Sequence, residues 1–299
     1  MIKHELIPTK RAIIDLLRAC AMKCTFCYHR FTTWDAPPGK AQYWSLSWDD
    51  VVAQLNNARN RGNTSVDFTG GEPVLWKDKT QNKNICDIIK YAESIGLHTC
   101  IITSGFMDIE IYYELIAAGC SEFLLSTHNV NNTLDTISQR PGHWDKLNNL
   151  IQVFNEFNIM WRANACINMH NYKELPLIAD YCVKNKCKVL NFININPPYE
   201  VDLPHLKALQ VPVSDSAPYL KQAIDYCYDN NLYVNVRYYP MCALRDDNKP
   251  MFYERFVCNH QQVIWDSFEW DYSFTPKDVE VYKKKAFDMF TIQSNKGWE

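Results

Sequence analysis

The chain has 299 residues, 47% of them apolar, and a formal net charge of −3 at pH 7. This fits one large α/β domain, alone or with a small appendage, and it offers no broad basic field for nucleic acid. No stretch of about 18 uncharged apolar residues is present, so no membrane span is expected; the opening MIKHELIPTKRAIIDLL lacks a secretory apolar core and cleavage site, and the expected location is cytoplasmic.

Ala12 to Leu17 reads as a short apolar strand that runs into Cys20-Ala21-Met22-Lys23-Cys24-Thr25-Phe26-Cys27. Ser47-Trp48-Asp49-Asp50 is a capping-box pattern and predicts a helix through Asn60. Ser65 to Thr69 is a strand ending in Gly70-Gly71. Ile85 to Ser94 is helical and stops before Gly96; His98 to Thr103 is the third strand. Ile109 to Ala118 is a helix, Glu122 to Ser126 a strand, Trp144 to Phe157 a helix and Met160 to Cys166 a strand. Tyr172 to Asn185 is a helix and Val189 to Ile195 a strand. Ser216-Ala217-Pro218 is expected to open a helix through Asp229, and Leu232 to Tyr238 is a candidate seventh strand.

Strands alternating with helices of about 10–15 residues predict βαβ units and a parallel sheet. The expected fold is α/β: a partial (β/α)6 TIM-like barrel of parallel strands over residues 1–238, with a small C-terminal extension over 239–299. In such barrels the active site lies at the C-terminal strand ends. On the fifth strand, Arg162, Asn164 and Cys166 alternate with Trp161, Ala163 and Ala165; on the seventh, Asn235 and Arg237 alternate with Val234 and Val236. One parity therefore points into a lumen or, alternatively, to solvent. The last 60 or so residues weaken the pattern and are aromatic, including Phe252, Tyr253, Phe256 and the run Trp265 to Tyr272. They read as an appendage packed on the barrel, a lid over its mouth, or a partner surface.

Twelve cysteines are many for this length, and without an export signal they are expected to stay reduced. Cys86, Cys100, Cys120, Cys166, Cys182 and Cys227 stand singly in apolar surroundings and read as small buried hydrophobes. Only Cys20, Cys24 and Cys27 cluster tightly. Thiolates suit iron–sulfur clusters and zinc. Structural zinc usually pairs two C-x₂-C knuckles, and no second knuckle is present. A cubane held by three cysteines leaves one iron free for a small molecule. A zinc site completed by His29, or three unligated thiols, are the alternatives.

C-x₃-C-x₂-C with an aromatic before its last cysteine, followed 43 positions later by Gly70-Gly71-Glu72-Pro73 at a strand end, resembles the radical S-adenosylmethionine (SAM) superfamily over about residues 10 to 200. The resemblance implies that Cys20, Cys24 and Cys27 hold one [4Fe–4S] cluster and that Gly70 to Pro73 hold the SAM amino group. It further implies Phe26 near the adenine, and Ser104, Ser126, Arg162 and Asn164 among the SAM contacts. Reductive cleavage of SAM would yield a 5′-deoxyadenosyl radical that takes hydrogen from a peptide or small metabolite, with a flavodoxin- or ferredoxin-type electron donor. Modification of a nucleoside or RNA, glycyl-radical activation of a partner, and an iron–sulfur role without catalysis are the alternatives. Asp15, Asp67, His128, Asn194, Asn196 and Arg237 are candidates to face the substrate. Cys242 and Cys258, 16 positions apart and followed by His260, raise a second cluster as a further expectation, although the C-x₂-C-x₅-C run of relatives with an auxiliary cluster is missing.

Overall fold

Strands β1 (Arg11–Asp15), β2 (Ser65–Thr69), β3 (His98–Thr103), β4 (Glu122–Leu125), β5 (Trp161–Ile167), β6 (Val189–Asn194), β7 (Tyr233–Arg237) and β8 (Val257–Cys258) form one sheet in that order. Every neighbouring pair is parallel. The computed structural model describes residues 11–27, 29, 33, 38–41, 43–195, 204–244 and 257–258. The sheet curls into the expected partial barrel. Side-chain contacts across it prove the curl: Arg11 on β1 meets Glu122 on β4, and Arg162 on β5 meets Asp67 on β2. In a flat sheet those strands would lie about 14 Å apart.

Helices α1 (Trp48–Asn60), α2 (Ile85–Ser94), α3 (Ile109–Ala117), α4 (Thr133–Ser138), α5 (His143–Glu156), α6 (Leu175–Lys184), α7 (Pro204–Leu209) and α8 (Val213–Asp229) link the strands. Side-chain caps start the first two. Ser47 Oγ accepts from the Asp50 amide at 3.2 Å. Asn84 and Asp87 form a reciprocal capping box, with both bonds at 2.9 Å. The outer strand face is apolar and sealed by the helices: Val66, Phe68, Phe123, Trp161, Ala163, Leu190, Phe192 and Val234 are all fully buried. Burial of each large side chain here stabilises the fold by about 1.5–3 kcal/mol.

The helices differ from expectation in three places, the first being α7, which lies where the sequence reads as a loop through about Val213. α8 begins at Val213, so Pro218 sits inside it, where its missing N–H forfeits the bond to the Ser214 carbonyl. The short helix α4 was not expected; its pattern is too brief for a 3.6-residue period to register. The aromatic run Trp265 to Tyr272, His260 and Asn196 lie outside the described residues.

Directly paired residues of parallel strands share a face, so register reads the lumen layer by layer. The lowest layer holds Asp67, Cys100 and Glu122. Asp15, Thr69, Ile102, Leu124 and Arg162 follow. Asn164, Asn191 and Asn235 form the next layer, and Cys166, Ile193 and Arg237 the one at the C-terminal mouth. The even-numbered residues of β5 thus face the lumen, and its lower layers are closed by charge. Arg11 Nη1 lies 2.5 Å from both Asp67 Oδ1 and Glu122 Oε1. Arg162 Nη2 lies 3.3 and 2.8 Å from the same two oxygens, and 3.2 Å from Cys100 Sγ. Two cations and two anions compensate one another in this floor, which is what a buried charge requires.

Candidate active site

The two motifs are joined by backbone. The main chain after β1 continues beside the main chain after β2: the amide of Leu16 donates to Thr69 O at 2.9 Å, Gly71 to Leu17 O at 2.7 Å and Glu72 to Ala19 O at 2.8 Å. This approach needs glycine. A Cβ on Gly71 would lie 2.1 Å from Ala19 O; one on Gly70, whose φ is +144°, would lie 2.5 Å from Leu17 O. The Gly70-Gly71 pair therefore docks directly on the lead-in to the cysteine loop. That loop rests in turn on the end of α4. The amides of Lys23 and Thr25 donate to Ser138 O and Ile137 O at 3.1 and 2.9 Å, and Arg140 Nε donates to Ala21 O. Met22 plugs the core beneath, 2% exposed.

Within this frame Cys20, Cys24 and Cys27 are half-buried, and none of them is in a disulfide. Burial pushes the Cys20 thiol up to about 12, with the Glu72 charge adding to the shift. Burial also raises Cys24 well above its ordinary value, and the neighbouring thiols Cys27, Cys20 and Cys166 add to it. Such a set ionises only when a strong cation arrives to share its charge. The three sulfurs do not all lie within 4.8 Å of one another. A tetrahedral zinc at about 2.3 Å from each would draw them to about 3.8 Å apart. His29 is turned away from this role, since its Nδ1 meets Arg18 Nη1.

Glu72 is 1% exposed. Its Oε2 accepts from the Ser104 amide at 3.0 Å and the Ser104 hydroxyl at 2.5 Å. Its Oε1 is buried and has no hydrogen-bond partner among the described residues. Burial raises the carboxyl above its ordinary value against the Ser104 hydrogen bonds. An orphaned carboxylate oxygen here is a seat for a cationic donor. Asp15 adds a second: Oδ2 pairs with Arg18 at 3.2 Å while Oδ1 is buried without a hydrogen-bond partner among the described residues.

Across the strand ends, the Phe26 and His128 rings meet edge to face at 4.7 Å. His128 Nδ1 accepts from the Cys166 amide at 3.2 Å. Below them the lumen carries amides: Asn235 Nδ2 donates to Asn191 Oδ1 at 2.8 Å, and Asn191 Nδ2 to Ala163 O at 3.0 Å.

The sequence model of the Radical SAM superfamily matches residues 14–182. The chain belongs to the radical SAM superfamily. Fe-coproporphyrin III synthase of Methanosarcina barkeri is 22% identical over 85% of this chain and 60% of its own length. A PqqA peptide cyclase of Rhodopseudomonas palustris is 23% identical over 61% of this chain and 46% of its own length. The chain spans about half the length of the curated relatives it matches. Among solved structures, Streptococcus suis SuiB bound to S-adenosylmethionine superposes with a TM-score of 0.59 at 20% identity, over 78% of this chain and 51% of that one. Methylornithine synthase (PylB) gives 0.59 at 12% identity, over 76% and 64%. These likenesses establish the shared fold.

Radical SAM membership implies a [4Fe–4S] cluster and SAM, and the residues fit both. Three thiols share one short loop, a glycine cradle brings the second motif against its lead-in, and Glu72, whose charge acts on Cys20, keeps an orphaned carboxylate oxygen. Of the expected contacts, Gly70, Gly71 and Glu72 dock on the lead-in to the cysteine loop, and Pro73 opens the turn Pro73–Leu75 that follows. Ser104 acts by holding Glu72. Phe26 lies in the cysteine loop, Asn164 faces the lumen on β5 beside Asn191, and Ser126 follows β4, its amide bonded to Thr103 O at 2.9 Å. Arg162 faces the lumen, with its guanidinium paired to Asp67 and Glu122 in the floor. Asp67 belongs to the same floor. That trio with Cys100 has ligand spacing for a metal ion, but two guanidinium groups already compensate it. Cys166, read as a core hydrophobe, is half-buried at the mouth and feels the charge of Cys27. Its alternation with Asn164 on β5 was the signal that could have found it.

Proposed function

We propose that this chain is a radical SAM enzyme that holds one [4Fe–4S] cluster on Cys20, Cys24 and Cys27 and acts on a peptide or small metabolite. One observation carries the reading. The backbone bonds that lock Gly71 and Glu72 onto Leu17 and Ala19 hold Glu72, with its orphaned oxygen, on the lead-in to the cysteine loop. Glu72, held by Ser104, receives the SAM ammonium, and the Gly70 to Pro73 backbone lines its path. Bound together, cluster and SAM supply a 5′-deoxyadenosyl radical for hydrogen abstraction. The barrel walls, sealed by the floor beneath, keep water from that chemistry. The amide layer of Asn164, Asn191 and Asn235 offers both donors and acceptors, which suits a peptide backbone or a polar small molecule. A flavodoxin- or ferredoxin-type protein would supply the electron. A PqqA peptide cyclase and a probable GTP 3′,8-cyclase are among the relatives, so both substrate classes occur near this chain.

Anaerobic reconstitution tests the reading. Wild-type protein is expected to bind about four iron atoms per chain and to cleave SAM under dithionite. Cys24→Ala is expected to lose both the cluster absorbance and all cleavage; retained cleavage would refute the assignment. A second cluster on Cys242 and Cys258 would raise the count to about eight. Cys242 is exposed in the turn Met241–Leu244, and the side chain of Cys258 lies outside the described residues.

A further inference from the structure

The six longer helices, α1, α2, α3, α5, α6 and α8, end alike. Just past each helix one residue takes a left-handed conformation, and the amide of the next bonds back to the carbonyl five positions earlier. This closure lays the side chains of the two bonded residues against each other. They are commonly apolar, as Phe154 and Ile159 are at the end of α5. At the end of α6 both are cysteines. Lys186 turns the chain with φ +60°, and the Cys187 amide donates to Cys182 O at 3.0 Å. None of the other five pairs holds more than one thiol.

One backbone hydrogen bond between two residues keeps their Cα atoms within the about 4.4–6.8 Å that a disulfide spans. The side chains meet accordingly. Contact with Cys187, ahead of burial, raises the Cys182 thiol well above its ordinary value, and the charge of Cys227 adds to it. Cys227 comes from the end of α8, which packs on α6. This thiol nest lies at the start of β6, the opposite end of the strands from the cysteine loop, and the radical chemistry gives it no task. Access to it is graded. Cys182 and Cys227 are fully buried, whereas Cys187 is 7% exposed between the exposed Lys186 and Lys188. A reagent therefore meets Cys187 first, and the two flanking ammonium groups favour an anionic one.

We infer that Cys182 and Cys187 are a redox-active dithiol that closes to an intrachain disulfide by exchange with an anionic low-molecular-weight disulfide of the glutathione type. The Cys187 thiol gives its proton to solvent, and its sulfur attacks one sulfur of the reagent, expelling the other half as a thiolate. That thiolate takes the proton of Cys182. The Cys182 sulfur then attacks the Cys187 sulfur and expels the second half, which is protonated from solvent. The protein loses two hydrogens and two electrons, and the reagent becomes two thiols. The second step is intramolecular between residues already held together, so the mixed disulfide is short-lived. No cluster ligand takes part, and the inference stands apart from the SAM-binding reading.

The test uses the iron-loaded enzyme under anaerobic conditions, with oxidised glutathione as the probe. Unfolding in N-ethylmaleimide then caps the remaining thiols, and trypsin cuts after Lys184 and Lys186, between the two cysteines. A bridge appears as two peptides that come apart on reduction. Wild type is expected to show this cross-link in most chains and no lasting glutathione adduct. Cys227→Ala is expected to bridge like wild type. Adding Cys182→Ala to it is expected to arrest the reaction with glutathione retained on Cys187. Cys187→Ala is expected to gain no modification at Cys182. A lasting adduct on Cys187 in wild type, a bridge from Cys187 to Cys227 in place of Cys182, or capping of both Cys182 and Cys187 by N-ethylmaleimide overturns the inference. The wild-type peptide map decides by itself, even where a variant does not fold.

Discussion

The floor of the barrel and its mouth are built from similar residues and solved in opposite ways. Below, Arg11, Arg162, Asp67 and Glu122 pair their charges at 2.5–3.3 Å, although Arg162 Nε is buried without a hydrogen-bond partner among the described residues. Above, Glu72 and Asp15 each keep a buried oxygen without a hydrogen-bond partner among the described residues, and the thiols of Cys20 and Cys24 are pushed upward by burial. Compensation makes the floor structural. Its absence at the mouth marks where a ligand completes the molecule.

Removing one member of the floor should break that contrast most severely. Arg162→Ala leaves Arg11 as the one cation of the floor beside two buried carboxylates, and we expect a loss of about 3 kcal/mol in denaturant unfolding. The fraction still folded should bind SAM like wild type; a selective loss of SAM affinity with unchanged stability would place Arg162 at the cofactor site. Gly71→Ala acts between the regions. Its Cβ would meet Ala19 O at 2.1 Å, so the two motifs must separate. A destabilisation of about 1–3 kcal/mol is expected, with loss of iron-loaded SAM binding; unchanged binding would show that the docking is dispensable.

Glu72→Gln should disturb the fold least and sharpen the contrast most. The folded-state carboxyl is raised above its ordinary 4.5, so it favours the folded apoprotein when protonated. That contribution is present below pH 4.5 and is lost as pH rises through the folded value. Gln keeps an acceptor for Ser104 and cannot ionise. The variant apoprotein should be at least as stable as wild type at pH 7 and should lack this component of the pH profile, while SAM affinity falls about tenfold or more. A less stable apoprotein with intact SAM affinity would make Glu72 structural.

The barrel was legible because its signals are local. Alternation along Trp161 to Ile167 and the caps at Ser47 and Asn84 each announce an element within a few residues. The parity of β5 even named the lumen-facing set of Arg162, Asn164 and Cys166. Parity gives direction but not partners, and Arg162 shows the gap. Its carboxylates stand 95 and 40 positions away in sequence. The same gap hid the role of Cys166, since nothing near it in sequence shows that His128 takes its amide.

The sequence by itself determined the family, the cysteine triplet and the strand that leads into it, because short motifs and period-two patterns encode chemistry and local geometry. Only the tertiary structure decided which polar residues are spent and which are still owed a partner. That division depends on side chains from five curled strands meeting in one lumen, and closure of a sheet brings together residues that no linear spacing relates.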